Sequence, residues 1–111
     1  MAEARFVKVY YKEFAQVLLQ MKTTEMRVLG YLFFLLNNEN RVITTYTRIA
    51  QAIDCSPDAV GDVMRDLLRI DVVRREAAGV YMVNPKMMAR GKSARVIVLA
   101  DAYRAIPKHS G

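Results

Sequence analysis

Lys86, Arg90, Lys92 and Arg95 fall within ten residues that contain no acid. Cationic side chains at that density attract phosphate oxygens, through charge-assisted hydrogen bonds and through release of counterions condensed on a nucleic-acid backbone. An ordinary solvated basic surface has the same composition. A second set lies upstream. A helix capped by Ser56 turns Pro57, Asp58, Ala59, Gly61, Asp62 and Arg65 outward. Arg65 there can donate two hydrogen bonds to guanine, and an Asp can accept one from cytosine N4. Asp58 and Asp62 also have plain structural roles, Asp58 at the positive helix N-terminus and Asp62 beside Arg65 or Arg69. In that case affinity moves to the segments that follow. Thr45, Tyr46, Thr47 and Arg48 open the preceding helix, where hydroxyls can bond phosphate or serve as a cap and a packed ring. Arg74 and Arg75 are neighbours on a strand, so one of them faces the same way as the helix and the other does not.

Catalytic chemistry is poorly supplied. His109 is the sole histidine, so neither a histidine-based triad nor a histidine metal cluster can be assembled. No Gly-rich phosphate loop is present. Cys55 is the one cysteine, with no basic neighbour in sequence, and reads as structural. Six tyrosines could suggest a DNA-nicking nucleophile, but a nickase of that kind usually needs a metal site, for which this chain lacks a histidine cluster. The seven methionines are scattered and read as core filler. The expectation is a non-enzymatic protein without cofactor or metal.

The chain of 111 residues carries a net charge of +6. Residues 1–40 hold five Lys or Arg against four Asp or Glu, and residues 41–111 hold twelve against seven. The positive excess thus sits in the half with both candidate sets. The longest apolar run, residues 28–36, is far short of the ~20 needed to span a bilayer. The first residues, MAEARFVKVY, contain no hydrophobic signal core. One cysteine fits a reducing compartment. A single cytoplasmic domain, residues 1–111, follows as the expectation, with no membrane partner and with residues 107–111 frayed.

These residues need a scaffold. Residues 5–11 (RFVKVYY) predict a short strand or extended arm. Phe14, Val17, Leu18 and Met21 fall at helical spacing over 12–21. Thr23 or Thr24 is placed to cap a helix over 25–36 that is apolar on nearly every side. Such a helix is either central to its core or faces a second copy of the chain. Residues 37–40 read as a polar turn and 41–44 as a short strand. A helix capped at Thr44 or Thr45 runs to Ile53, Asp54 and Cys55 turn the chain, and Ser56-Pro57-Asp58 starts the next helix, to about Arg69. Strands over 72–76 and 80–84 form a hairpin through Ala77-Ala78-Gly79, with Pro85 as terminator. Residues 86–93 predict a basic loop. A last helix, from 94 to about 106 and started by Ser93, has an apolar side of Val96, Val98, Leu99, Ala102, Tyr103 and Ile106. The fold class is α+β, mainly helical: a winged helix-turn-helix with a short hairpin wing and extra N- and C-terminal helices. That unit places its second helix in a DNA major groove.

Four segments, RFVKVYYKEF, TEMRVLGYLFFLL, NENRVITTYTRIAQAIDCS and above all GVYMVNPKMMARGKSARV, resemble the RepL family of plasmid replication initiators from Gram-positive plasmids. The resemblance covers roughly residues 5–104. It implies a winged-helix protein that binds double-stranded DNA at a plasmid origin and recruits host replication proteins, and it carries over Arg65, Lys86, Arg90 and Lys92 as contacts. A homodimer would suit an inverted-repeat site. A transcriptional repressor on the same scaffold, or a winged helix used only to bind protein, are the other readings of this fold.

Overall fold

Residues 7–90 and 93–108 are described by a computed structural model. Strand β1 (Val7–Val9) leads into α1 (Tyr11–Leu19), α2 (Thr23–Leu35), β2 (Arg41–Ile43), α3 (Tyr46–Ile53), α4 (Pro57–Arg69), β3 (Val73–Ala77), β4 (Val80–Val83), β5 (Met88–Arg90) and α5 (Ser93–Ala105). Two antiparallel sheets result, β1-β5 and β2-β4-β3. The fold is α+β, mainly helical, and consistent with a winged helix-turn-helix.

Local chemistry accounts for the two helices of the motif. Thr45 Oγ1 accepts the N–H of Arg48 at 3.2 Å and caps α3. Asp54 then takes a left-handed conformation, φ 55°, and ends it. The Arg27 guanidinium, on α2, donates to the Ile53 carbonyl at the same end. Ser56 Oγ accepts from Ala59 N–H at 3.1 Å, Pro57 occupies the first turn, and Asp58 sits at the positive end of the α4 dipole. Val60, Val63, Met64, Leu67 and Leu68 are buried, as their spacing predicts. Each contributes roughly 1.5–3 kcal/mol by leaving water. They meet Ile49, Ala50 and Ile53 of α3 and Val28, Leu29 and Leu32 of α2 in one core.

The sheet separates that core from a second. Val42, Tyr81, Val83 and Val73 face the helices, whereas Met82, with Ala89, packs under Leu99, Tyr103 and Ile106 of α5. Gly79 has φ 71° in the hairpin turn, and a Cβ there would lie 3.1 Å from the Thr44 carbonyl oxygen. Glycine meets both demands, and another residue there would be strained.

Several elements depart from the sequence expectation. α2 starts at Thr23, with Lys22 rather than a threonine in the cap position, because Glu25 Oε1 reaches back to the Lys22 N–H at 3.0 Å. Only one side of α2 is buried. Phe34 remains 81% exposed, stacked against Tyr31 at 6.3 Å. The expected basic loop over 86–93 contains strand β5, with Met87, Met88 and Ala89 buried and Val7 paired to Arg90. Its pairing partner is at the other end of the chain, outside any local window. On α5 Val98 points to solvent with Ile97, because the seam is set by Leu99, Tyr103 and Ile106.

Asn40 ties the two sheets together. It is fully buried in a left-handed conformation, φ 61°. Its Nδ2 donates to the Val83 carbonyl of β4 and the Met88 carbonyl of β5, each at 2.9 Å. Its own carbonyl accepts from Val83 N–H at 2.9 Å. Replacing it leaves buried carbonyls without these donors and, for most residues, strains the backbone. Asn40→Ala is expected to lower the unfolding free energy by about 2–4 kcal/mol in urea titrations. Asn40→Asp, which presents acceptors to acceptors, should cost at least as much.

Candidate nucleic-acid interface

The outward side of α4 forms an open groove of about 580 Å³ with the start of α3, lined by Tyr46, Pro57, Asp58, Gly61, Asp62 and Arg65. Gly61 leaves its floor free of a side chain. The Tyr46 ring lies beneath it, 3.6 Å from where a Cβ would be, and stacks on Tyr81 at 6.5 Å. Burial and the Tyr46 hydroxyl hold the Tyr81 phenol well above its ordinary pKa, so it stays protonated. Arg75 pairs with Tyr81 in the β3–β4 register and opposes that shift, which places its charge on the helix side of the sheet. Arg75 is exposed, as are Thr45, Thr47 and Arg48. The Thr45 hydroxyl is engaged as the α3 cap.

Charges along α4 largely cancel. Arg65 is paired with Asp62, and Arg69 with Asp66 at 3.4 Å. Asp58 stands exposed in the first turn. Of the structural roles open to the two acids, Asp62 takes the pairing with Arg65 and Asp58 the N-terminal position.

Arg74 is turned the other way. Its Nε and Nη2 donate to the Asp71 carboxylate at 2.9 and 3.1 Å, its Nη1 donates to the Tyr103 and Ile106 carbonyls at 3.2 and 2.9 Å, and its plane lies 4.5 Å over the Tyr103 ring. It serves the C-terminal end of α5 and is not presented to the α4 groove. Lys86 is exposed on that same α5 side, at the rim of a small cleft of about 70 Å³ with Tyr103 and Arg104. Arg95 approaches Glu39 at 3.6 Å. Lys92 lies outside the described residues, and Arg90 is placed by its backbone, in β5. The groove therefore gathers Tyr46, Asp58, Gly61, Asp62 and Arg65, with Ser56 capping the helix and Arg75 on the adjoining hairpin; Arg74 and Lys86 belong to the opposite side.

One cation has no sequence signal. Lys108, in the segment expected to fray, lines an open cleft of about 420 Å³ with Arg75, Glu76, Ala77, Ala78 and Pro107 beside the hairpin. Glu76 is occupied there by Arg41, at 2.5 Å.

Helices α3 and α4, joined by a tight turn and followed by the β3–β4 hairpin, make this an α+β protein, mainly helical and consistent with a winged helix. Residues 2–109 match the family model of the Firmicute plasmid replication protein, RepL, and the chain belongs to that family. It is a plasmid replication protein. No curated protein and no solved structure matches it. Among the described residues no helix is long and apolar enough to cross a membrane.

The Asp71 cluster gives a pH test. Burial opposes the Asp71 charge, but the Arg74 and Tyr103 hydrogen bonds, with the charges of Arg74 and Lys108, outweigh it and hold the carboxyl below the usual range. A depressed folded value stabilises fully above the unfolded carboxyl pKa, about 3.9, and the gain is lost as pH falls through the lower folded value. The melting temperature of Asp71→Asn should be lower than wild type at pH 7, and the gap should narrow below about pH 4. A constant gap across that range would show that the carboxylate charge is immaterial.

Proposed function

We propose that this plasmid replication protein is a non-enzymatic, sequence-specific double-stranded DNA-binding protein that initiates replication at its plasmid origin. The observation that carries the reading is the open α4 groove of a helix-turn-helix, with Arg48 on α3 and Arg75 on the following hairpin both exposed. In a helix-turn-helix the first helix crosses the backbone and the second enters the major groove. Gly61 and Ala59 permit close approach of α4 to the base edges, and Arg65 reads them. Because α4 itself adds no net positive charge, phosphate affinity is assigned to its flanks. Lys86, beside α5, and Arg95, on α5, are further exposed cations for phosphate, a role that the sequence alone proposes for Arg90 and Lys92.

Initiation further requires host replication proteins, which family membership makes the natural partners. The protein works in the cytoplasm, where plasmid and replication machinery meet. A homodimer through the exposed Phe34–Tyr31 side of α2 would match an inverted-repeat origin, with half-sites about one DNA turn, 34–36 Å, apart.

Gel-shift titration of the chain with an origin fragment and with a control fragment, at several salt concentrations, tests the reading. Binding to the origin fragment should be tighter, and log affinity should fall linearly with log salt at a slope near 0.9 per phosphate contact. Arg48→Ala and Arg75→Ala should each weaken both fragments alike and reduce that slope by about 1. Equal affinity for both fragments with a flat salt response sinks the proposal. A retained grip on a replisome protein without duplex binding would make the fold a protein-interaction module instead.

A further inference from the structure

The base-facing side of α4 presents an acid and a base that are already bonded to one another. Arg65 donates to Asp62 three residues earlier, and the two side chains keep 60% and 73% of their accessible surface. An ion pair this exposed is weak and opens readily. No other ion-pair partner holds Asp62 among the described residues, and both residues line the groove beneath which Tyr46 supports Gly61. Three residues advance about 4.5 Å along a helix, close to the roughly 3.4 Å between base pairs. With α4 lying in the major groove, that spacing lets the two side chains reach neighbouring base pairs.

We propose that Asp62 and Arg65 are one specificity-determining unit, closed on each other in the free protein and on non-matching duplex, and opened by a cytosine and a guanine on adjacent base pairs. When open, Arg65 donates to guanine N7 and O6, and Asp62 accepts from cytosine N4. When closed, Asp62 cancels the Arg65 charge, so α4 adds nothing to sequence-independent attraction. Opening on a step with no amino group in reach strands a carboxylate among phosphates, and adenine, whose N7 acceptor lies beside its amino group, meets it less well than cytosine. Asp62 then selects by penalty and Arg65 by attraction. The inference rests on the reading of this chain as a duplex DNA-binding protein.

Selection of bound duplex from a random pool, with wild type, Asp62→Ala and Asp62→Asn in parallel, tests it. Wild type should enrich a site containing the cytosine and guanine step. Asp62→Ala should keep the guanine, lose at least about fivefold of its cytosine preference, and bind non-matching duplex severalfold tighter at low salt. Asp62→Asn should move the preference from cytosine toward adenine, which an Asn side chain can bond bidentately. Asp62 is exposed, so unchanged thermal midpoints are expected for both variants. If wild type enriches a site without that step, or both variants enrich the wild-type site with unchanged non-matching affinity, the unit is overturned and the DNA-binding reading stands. If wild type enriches nothing, the DNA-binding reading itself falls.

Discussion

Most of this architecture depends on one amide group. Asn40 meets the carbonyls of Val83 and Met88 where the chain leaves the three-stranded sheet for the two-stranded one. Between those two residues the backbone must turn through Asn84, Pro85 and Lys86, and a buried turn exposes carbonyls that water cannot reach. Asn40 satisfies them from inside, and its left-handed backbone aligns β2 with β4. Asn84 does comparable work at the turn's outer side, donating to the Asp71 carbonyl at 2.9 Å. The hairpin is therefore held at its base by side-chain amides from two different loops, and its position relative to α4 follows from them.

Charge is divided by role across the surface. Cations that face α4 from outside, Arg48 and Arg75, stand without ion pairs among the described residues, whereas those on α4 itself are matched by acids one turn away. Arg74 is withdrawn from solvent to close the end of α5. Two adjacent arginines thus do unrelated work, one holding the fold and one facing outward. A simple count of positive residues in this half of the chain could not separate them.

What was legible in the sequence was what short-range chemistry decides. Ser56-Pro57-Asp58, the apolar spacing from Val60 to Leu68 and the glycine at the hairpin turn each carry their meaning within a few residues, and each element appeared in its expected place. What was not legible depends on distant partners. Met87, Met88 and Ala89 are an apolar core of a segment whose flanking charges dominate its appearance, and only β1 makes them a strand. The alternation of Arg74 and Arg75 was readable, but which one turned inward depended on where α5 ended. Lys108 gains its place from the same packing. The apolar wrap of α2 suggested uniform burial, yet three or four positions per two turns suffice to fill a core, and Phe34 was left over.

The ladder between β1 and β5 has a consequence for how the molecule comes into being. Val7 is made long before Arg90, so the pair cannot form until every element from α1 to β4 has been synthesised. Contacts so far apart in sequence close late and slowly, because the loop between them must first be ordered. The helices α2 to α4 can gather beforehand from neighbouring segments. A nascent chain thus carries the edge of β1 unpaired until β5 is delivered, and α5, made just after, then closes the second core.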